Sequence, residues 1–277
     1  MRLLSTSLAA LIFIGTISAQ PQSHTGHLGF DRNDYPGDGV LPALRLRFAF
    51  AGYWLNNPPG ETANTWRGKR ETLVHQNFGF LVLFNGRLDA DILNAKRRGT
   101  SPVTLGRRDA AVAIASAKSE GFPARTIIFL DQEEGGRLLP EQSDYLFAWT
   151  EAISASPYLP GIYLSGQPVE DVPGKTITTA EAVREQIASK HLHPVAIFVY
   201  QDACPPSNGC TLTPPPITTA GIPDIAVWQY AQSPRRVEIT RVCAKTYAPD
   251  GNCYAPGIPQ IFLDLNLATS DDPSHGR

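Results

Sequence analysis

Past its first twenty residues this sequence has no apolar run approaching the roughly 20 residues that cross a bilayer, no surplus of basic charge, and no cysteine before position 204. Each lack excludes something. Lys and Arg total 24 against 26 Asp and Glu, a formal charge of -2, so a nucleic-acid partner has no electrostatic footing. The G-x-G-x-x-G turn of dinucleotide-binding sheets is missing after the first apolar segment, where "GFDRNDYPGDG" stands, and the G-x-S-x-G elbow is missing around Ser165 in "YLSGQP", which removes it as a hydrolase nucleophile. The tight Cys-x-x-Cys pairs of zinc modules are lacking too. His191 and His193 in "KHLHP" precede a strand, at the wrong end of it for a site, and are read as a helix C-terminus. No metal and no cofactor is expected, and neither an internal repeat nor a second domain is visible.

What is present begins with "MRLLSTSLAALIFIGTISAQ". One positive charge at Arg2, an apolar stretch from Leu8 to Ile17 and small residues at Ser18 and Ala19 make a secretory signal peptide cleaved after Ala19. The expected organisation is a signal peptide over 1–19, a short linker over 20–26, one domain over 27–270 and a tail over 271–277. The mature chain is expected to be a monomer, free of the membrane, and secreted or periplasmic. Export makes the cysteines legible, because oxidising compartments favour disulfides. Cys204, Cys210, Cys243 and Cys253 allow three connectivities. The Pro- and Gly-rich loops "CPPSNGC" and "CAKTYAPDGNC" suggest Cys204 with Cys210 and Cys243 with Cys253, as staples on two loops.

Short apolar runs alternate with helix-like stretches through the rest of the chain, the pattern of a parallel sheet with covering helices. Eight strands are expected: His27–Asp31, Arg47–Leu55, Gly79–Gly86, a fourth in "TIIFLDQE", Leu159–Ser165, Pro194–Asp202, Asp224–Ala231 and Gln260–Asn266. Helices are clearest in "GRRDAAVAIASAKSEGF", "LPEQSDYLFAWTEAISA" and "TTAEAVREQIASKH", each with a start or stop signal in place. The segment from Pro205 to Pro223 is too rich in Pro and Thr for a full helix. Eight strands in about 250 residues match an α/β fold of the (β/α)8 TIM-barrel type, here with disulfide-stapled loops.

Such barrels carry their sites at the C-terminal strand ends, which here are rich in acids: Asp31, Asp131 with Glu133, and Asp264. Alternation along a strand sends Asp131 and Glu133 to one side and Gln132 and Glu134 to the other. Carboxylates crowded at a partly buried strand end repel, so one of them holds a proton near neutral pH and can act as a general acid. Glu134 and the Gly135–Gly136 pair read as structural. Tyr53, Tyr163, Tyr200, Trp228 and Tyr230, with Trp54 beside them, could offer stacking faces to sugar rings, with Gln201, Gln229 and Asn266 as hydrogen-bond partners. In "AVWQYA" one face alone can line a pocket, with Trp228 and Tyr230 on one side and Gln229 on the other.

With "GFD", "FLDQE", "WQY" and "FLDLN" at successive strand ends, the sequence resembles the family 25 glycoside hydrolases, lysozyme-like muramidases with a modified (β/α)8 barrel, and more closely the secreted glycoside-hydrolase-like domains related to them. The resemblance implies Glu133 as general acid, Asp131 as the partner that orients substrate or stabilises charge, and Asp31 and Asp264 as supporting acids. The implied activity is hydrolysis of an N-acetylated polysaccharide such as peptidoglycan; a catalytically silent glycan-binding module of the same fold is the alternative. The partner is in either case a polysaccharide or cell-wall glycan. Intact mass of exported protein is expected to place its N-terminus at Gln20; retention of residues 1–19 would contradict the cleavage.

Overall fold

The computed structural model describes residues 26–277; the expected signal peptide lies outside the described residues. Eight strands, buried on both faces for most of their length and therefore nearly continuous in apolar sequence, close into a barrel: β1 (His27–Asp31), β2 (Phe50–Trp54), β3 (Gly79–Asn85), β4 (Ile127–Asp131), β5 (Leu159–Ser165), β6 (Ala196–Tyr200), β7 (Val227–Ala231) and β8 (Asp264–Ala268). They pair in chain order around the ring, and β8 meets β1 to shut it. Between them run α1 (Leu41–Arg45), α2 (Arg70–His75), α3 (Asp89–Arg97), α4 (Pro102–Ser119), α5 (Pro140–Ser154), α6 (Thr179–Lys190) and the single-turn α7 (Val237–Thr240). The long helices start where local chemistry dictates. Ser101 accepts the Thr104 amide ahead of α4, and Thr178 and Glu181 cap each other's backbone N–H groups at α6, the reciprocal capping box. From Pro205 to Pro223 there is a single 3-10 turn, Ile217–Ala220, as the missing proline donors require.

The barrel is modified at its last strand. The expected strand over Gln260–Asn266 is divided: Ile258–Phe262 forms a hairpin with Tyr254–Ala255 outside the barrel, and the barrel strand starts at Asp264. That strand runs antiparallel to both neighbours, so its N-terminal end, not its C-terminal end, lies at the mouth. Asp264 reaches the same rim as the other acids for that reason.

The cysteine pairing differs from the expectation. Cys204 is bonded to Cys243, with Cα atoms 5.7 Å apart across 39 residues of sequence, while Cys210 and Cys253 are not disulfide-bonded. The bond ties the β6–β7 loop to the turn of 3-10 helix at Arg241–Thr246. These segments meet over the outer face of β7, where the Tyr230 hydroxyl donates to the Thr211 carbonyl and Ser207 Oγ donates to the Tyr230 carbonyl. Loop spacing could not anticipate that meeting.

Residues 271–277, expected as a tail, are packed against the barrel floor. Ser274 is fully buried; its Oγ accepts from the Val82 amide and its carbonyl from the Ile127 amide, while Asp272 Oδ1 accepts from the amides of Phe80 and Gly276. The segment thus satisfies the lower ends of β3 and β4, which do not pair with each other there. Asp272→Ala strands those buried donors and is expected to cost about 2–3 kcal/mol, read as a lower unfolding midpoint in urea.

Candidate active site

Alternation along the strands builds the site. Inward positions low in the barrel are aromatic: Phe129 and Phe198 pack edge to face at 6.0 Å, and Tyr163 lies 4.5 Å from the Phe198 ring. The next inward layer is polar. Asp31 ends β1 opposite Gly52 of β2, where a methyl group would overlap the Asp31 Cβ; glycine is required there because the aspartate occupies the space. Gln229 on β7 and Asn266 on β8 are register partners. Their amides therefore arrive side by side, and both donate to Asp31 Oδ2, at 3.0 and 2.7 Å. Asp264 is the register partner of Asp31 itself, and its Oδ1 accepts the Ser233 amide at 2.5 Å. Asp131 ends β4 with Oδ1 buried and without a hydrogen-bond partner. Glu133, two residues beyond, is the solvent-exposed member of the four.

All four acids line one cleft of about 270 Å³, together with Arg32, Trp54, Tyr163 and Phe262. Glu133 also borders a lobe on each side, one walled by Tyr200, Pro234 and Arg236, the other by Asn85, Gly86 and Leu88. It therefore stands at the middle of a groove. Burial over the aromatic floor raises the carboxyl pKa values, since desolvation penalises the charged form. Asp31 is pushed up to about 6 by burial, against the opposing pull of its two amide donors. Burial lifts Asp131 well above the ordinary range, and the charges of Glu133 and Asp31 lift it further. Asp264 is raised by burial and by Asp31, with the Ser233 amide partly offsetting both. Burial and mutual repulsion thus favour the protonated forms of these three acids.

Several residues expected at the site lie elsewhere. Tyr53 points outward from β2, packs on Trp66 and Phe122, and donates to Glu120. Trp228 and Tyr230 occupy the outer face of β7 beneath the disulfide-linked loops, and Trp228 donates to the Gln201 carbonyl. The inward residue of that strand is Gln229, so the amide face lines the cleft and the aromatic face does not. Gln201 spends its amide on the Gly166 carbonyl. Tyr163 and Gln229 do line the cleft, Tyr200 borders the Arg236 lobe, and Asn266 is fully buried and acts through Asp31. Glu134 accepts from the Asp89 amide and from Gln132 and Gln142, a structural role. Arg32, Gln232, Ser233, Phe262 and Arg236 were missed. Arg32 directly follows Asp31, and "QS" directly follows β7, so reading one or two residues past each strand end would have found three of them. Among the described residues no group of three or more His, Cys, Asp or Glu is placed to hold a metal ion.

The Asp31 carboxyl, raised from 3.8 to about 6, binds its proton more tightly folded than unfolded. The stability this provides is complete below about pH 4 and lost as pH rises through about 6. Asp31→Asn, which keeps an oxygen for the two amides and does not titrate, is expected to gain on the wild type by about 2–3 kcal/mol between pH 4 and pH 8, measured by denaturant unfolding at both.

Comparison with known proteins agrees with this architecture. Among solved structures, an uncharacterized B. stearothermophilus protein superposes with a TM-score of 0.51 at 19% identity, covering 88% of this chain and 96% of its own. The catalytic domain of the endolysin ply40 from bacteriophage P40 of Listeria monocytogenes gives 0.47 at 15% identity, over 92% and 100%. The Mycobacterium tuberculosis Tat-secreted protein Rv2525c gives 0.49 at 13%, over 87% and 95%. No curated protein sequence matches. A family model, the Rv2525c-like glycoside hydrolase-like domain, matches residues 52–204, which carry β2 to β6 and two of the four acids. The chain belongs to the Rv2525c-like glycoside hydrolase-like family, and its barrel is of the kind that the acids at its strand ends implied.

Proposed function

We propose that this protein is an exported glycoside hydrolase that cuts an N-acetylated polysaccharide such as peptidoglycan, with Glu133 as the general acid. The observation that carries the reading is the convergence of four carboxyls from β1, β4 and β8 on one cleft, three of them held above the ordinary carboxyl range by burial. Glycosidic cleavage asks for a proton at the leaving oxygen and a second carboxyl to meet the charge that develops on the sugar. Glu133, exposed in the groove, is the acid able to reach that oxygen. Asp131, with one buried oxygen that has no partner, is the second carboxyl: its proton passes to Glu133, which delivers it to the leaving oxygen, and Asp131 is left negative beside the cationic ring. Asp31 and Asp264 keep the local field such that a proton stays at the mouth. Trp54, Tyr163 and Phe262 offer apolar faces for sugar rings, and stacking of this kind needs little polar precision.

Export is supported by the N-terminal sequence and by the Cys204–Cys243 bond, which suits an oxidising compartment. The experiment is release of new reducing ends from purified peptidoglycan and from chitin oligosaccharides. Wild type is expected to release them and Glu133→Gln to lose at least about a hundredfold in rate while still binding. Binding without release by the wild type would instead make the protein a glycan-binding module. Release that survives Glu133→Gln would move the acid to another residue.

A further inference from the structure

Cys210 and Cys253 hold the two thiols outside the Cys204–Cys243 bond, and the fold brings them face to face. Cys210 lies in the Pro- and Thr-rich loop after β6, Cys253 at the foot of the hairpin that pairs Tyr254–Ala255 with Ile258–Phe262. The Cys210 thiol is hydrogen-bonded to the Cys253 thiol, although the two segments are far apart in the sequence. Backbone contacts on both sides set this meeting. Gly209, at φ +80°, lies so close to the Arg241–Thr246 turn that an added Cβ would overlap Thr246 Oγ1, so only glycine passes there. The next amide, that of Cys210, donates to the same Thr246 Oγ1 at 3.1 Å, and the carbonyl of Thr211 accepts from the Tyr230 hydroxyl at 2.6 Å. Cys253 is fully buried; its amide donates to Ser233 Oγ at 2.7 Å and its carbonyl accepts from the Leu263 amide at 2.7 Å.

The two thiols are unequal. Burial raises the pKa of Cys253 and the contact with Cys210 raises it further, whereas the hydrogen bond with Cys253 lowers that of Cys210, which is only partly buried. A partly exposed thiol that ionises more readily, beside a buried one that resists, is the arrangement of an attacking and a resolving cysteine. The pair is also linked to the acid centre. Ser233, which accepts the Cys253 amide, donates its hydroxyl to the Leu263 carbonyl and its own amide to Asp264 Oδ1. Phe262, at the far end of the same hairpin, lines the cleft. The Cys204–Cys243 bond does not reach this hairpin, because it joins the β6–β7 loop to the Arg241–Thr246 turn.

We propose that Cys210 and Cys253 form a second disulfide during export, which fastens the Tyr254–Phe262 hairpin to the β6–β7 loop and holds Phe262 in place beside the acids. The inference rests on the export reading given above and is independent of which glycan is bound or cut. The oxidant is a disulfide, carried by a protein or a small thiol compound of the exporting compartment. Cys210 gives up its proton and its thiolate attacks one sulfur of that disulfide, expelling the other as a thiolate. Cys253 then loses its proton and attacks the Cys210 sulfur of the mixed disulfide, expelling the second oxidant sulfur. Two protein thiols are oxidised to one S–S bond, and the oxidant leaves as two thiols that carry both electrons and both protons.

The test is disulfide mapping of the full exported chain, produced by a secretory host and alkylated with N-ethylmaleimide in denaturant without reductant. Trypsin leaves Cys204 and Cys210 on one peptide and puts Cys243 and Cys253 on two others. The expected product is these three peptides joined by two bonds and free of alkylation, with fragmentation between Cys204 and Cys210 assigning Cys243 to the first and Cys253 to the second. Alkylation of Cys210 and Cys253 alone, or a bond from Cys210 to any other cysteine, would overturn the second disulfide while leaving export to an oxidising compartment in place; alkylation of all four cysteines would overturn both. The mapping uses the wild type, so it decides the bond whether or not a variant folds. The fastening role is read from the double variant Cys210→Ser, Cys253→Ser, which keeps the Cys204–Cys243 bond. Its melting midpoint is expected to fall by about 5 °C or more, and chymotrypsin is expected to cleave within Tyr254–Phe262 about tenfold faster. An unchanged midpoint and cleavage rate beside a mapped bond would overturn that role.

Discussion

Burial of carboxyl groups over an aromatic floor is the constraint on which the rest of this structure depends. Phe129, Phe198 and the ring of Tyr163 displace water from the barrel interior, and the acids above them are left with few partners that could replace hydration. Asp31 recovers two amide donors, Asp264 one backbone N–H, and Asp131 none at Oδ1. A barrel built for stability alone would fill this layer with apolar side chains. Retaining three costly acids in it, with the exposed Glu133 above them, is how a fold keeps protons available at a solvent boundary.

The antiparallel last strand follows from the same need. A parallel β8 would bring its C-terminal end to the mouth and send Asp264 to the floor. Reversed, it sets Asp264 beside Asp31 and Asn266 beside Gln229, so one pair of strands delivers both an acid and the amides that tether its neighbour. At the opposite end of the barrel the lower ends of β3 and β4 do not pair with each other, and the last residues of the chain satisfy their backbone groups.

The loops beyond β6 and β7 form the changeable wall of the groove. They carry the Cys204–Cys243 bond and the residues Gln232, Ser233, Arg236 and Phe262 that meet the cleft, and they cover the outer-face aromatics Trp228 and Tyr230 of β7. A disulfide between distant loop segments holds this wall where no long helix does, because a Pro- and Thr-rich stretch replaces the helix that would usually follow β6. In a barrel, the strands hold the acids and the loops choose what lies against them.

Local chemistry alone made seven strands legible, because buried runs such as "TIIFL" and "GFLVLF" have no alternative use. It also made the three long helices legible through their caps, and the alternation that turns Asp131 and Glu133 away from Glu134. It could not tell which face of "VWQYA" looks inward, since either face of a strand buried on both sides is apolar enough. Nor could it determine the direction of β8, the partner of Cys204, or the burial of residues 272–274, because each depends on segments that meet only when the barrel closes. The identity of the acids was written in the chain; their protonation was decided by what the tertiary structure packs around each group.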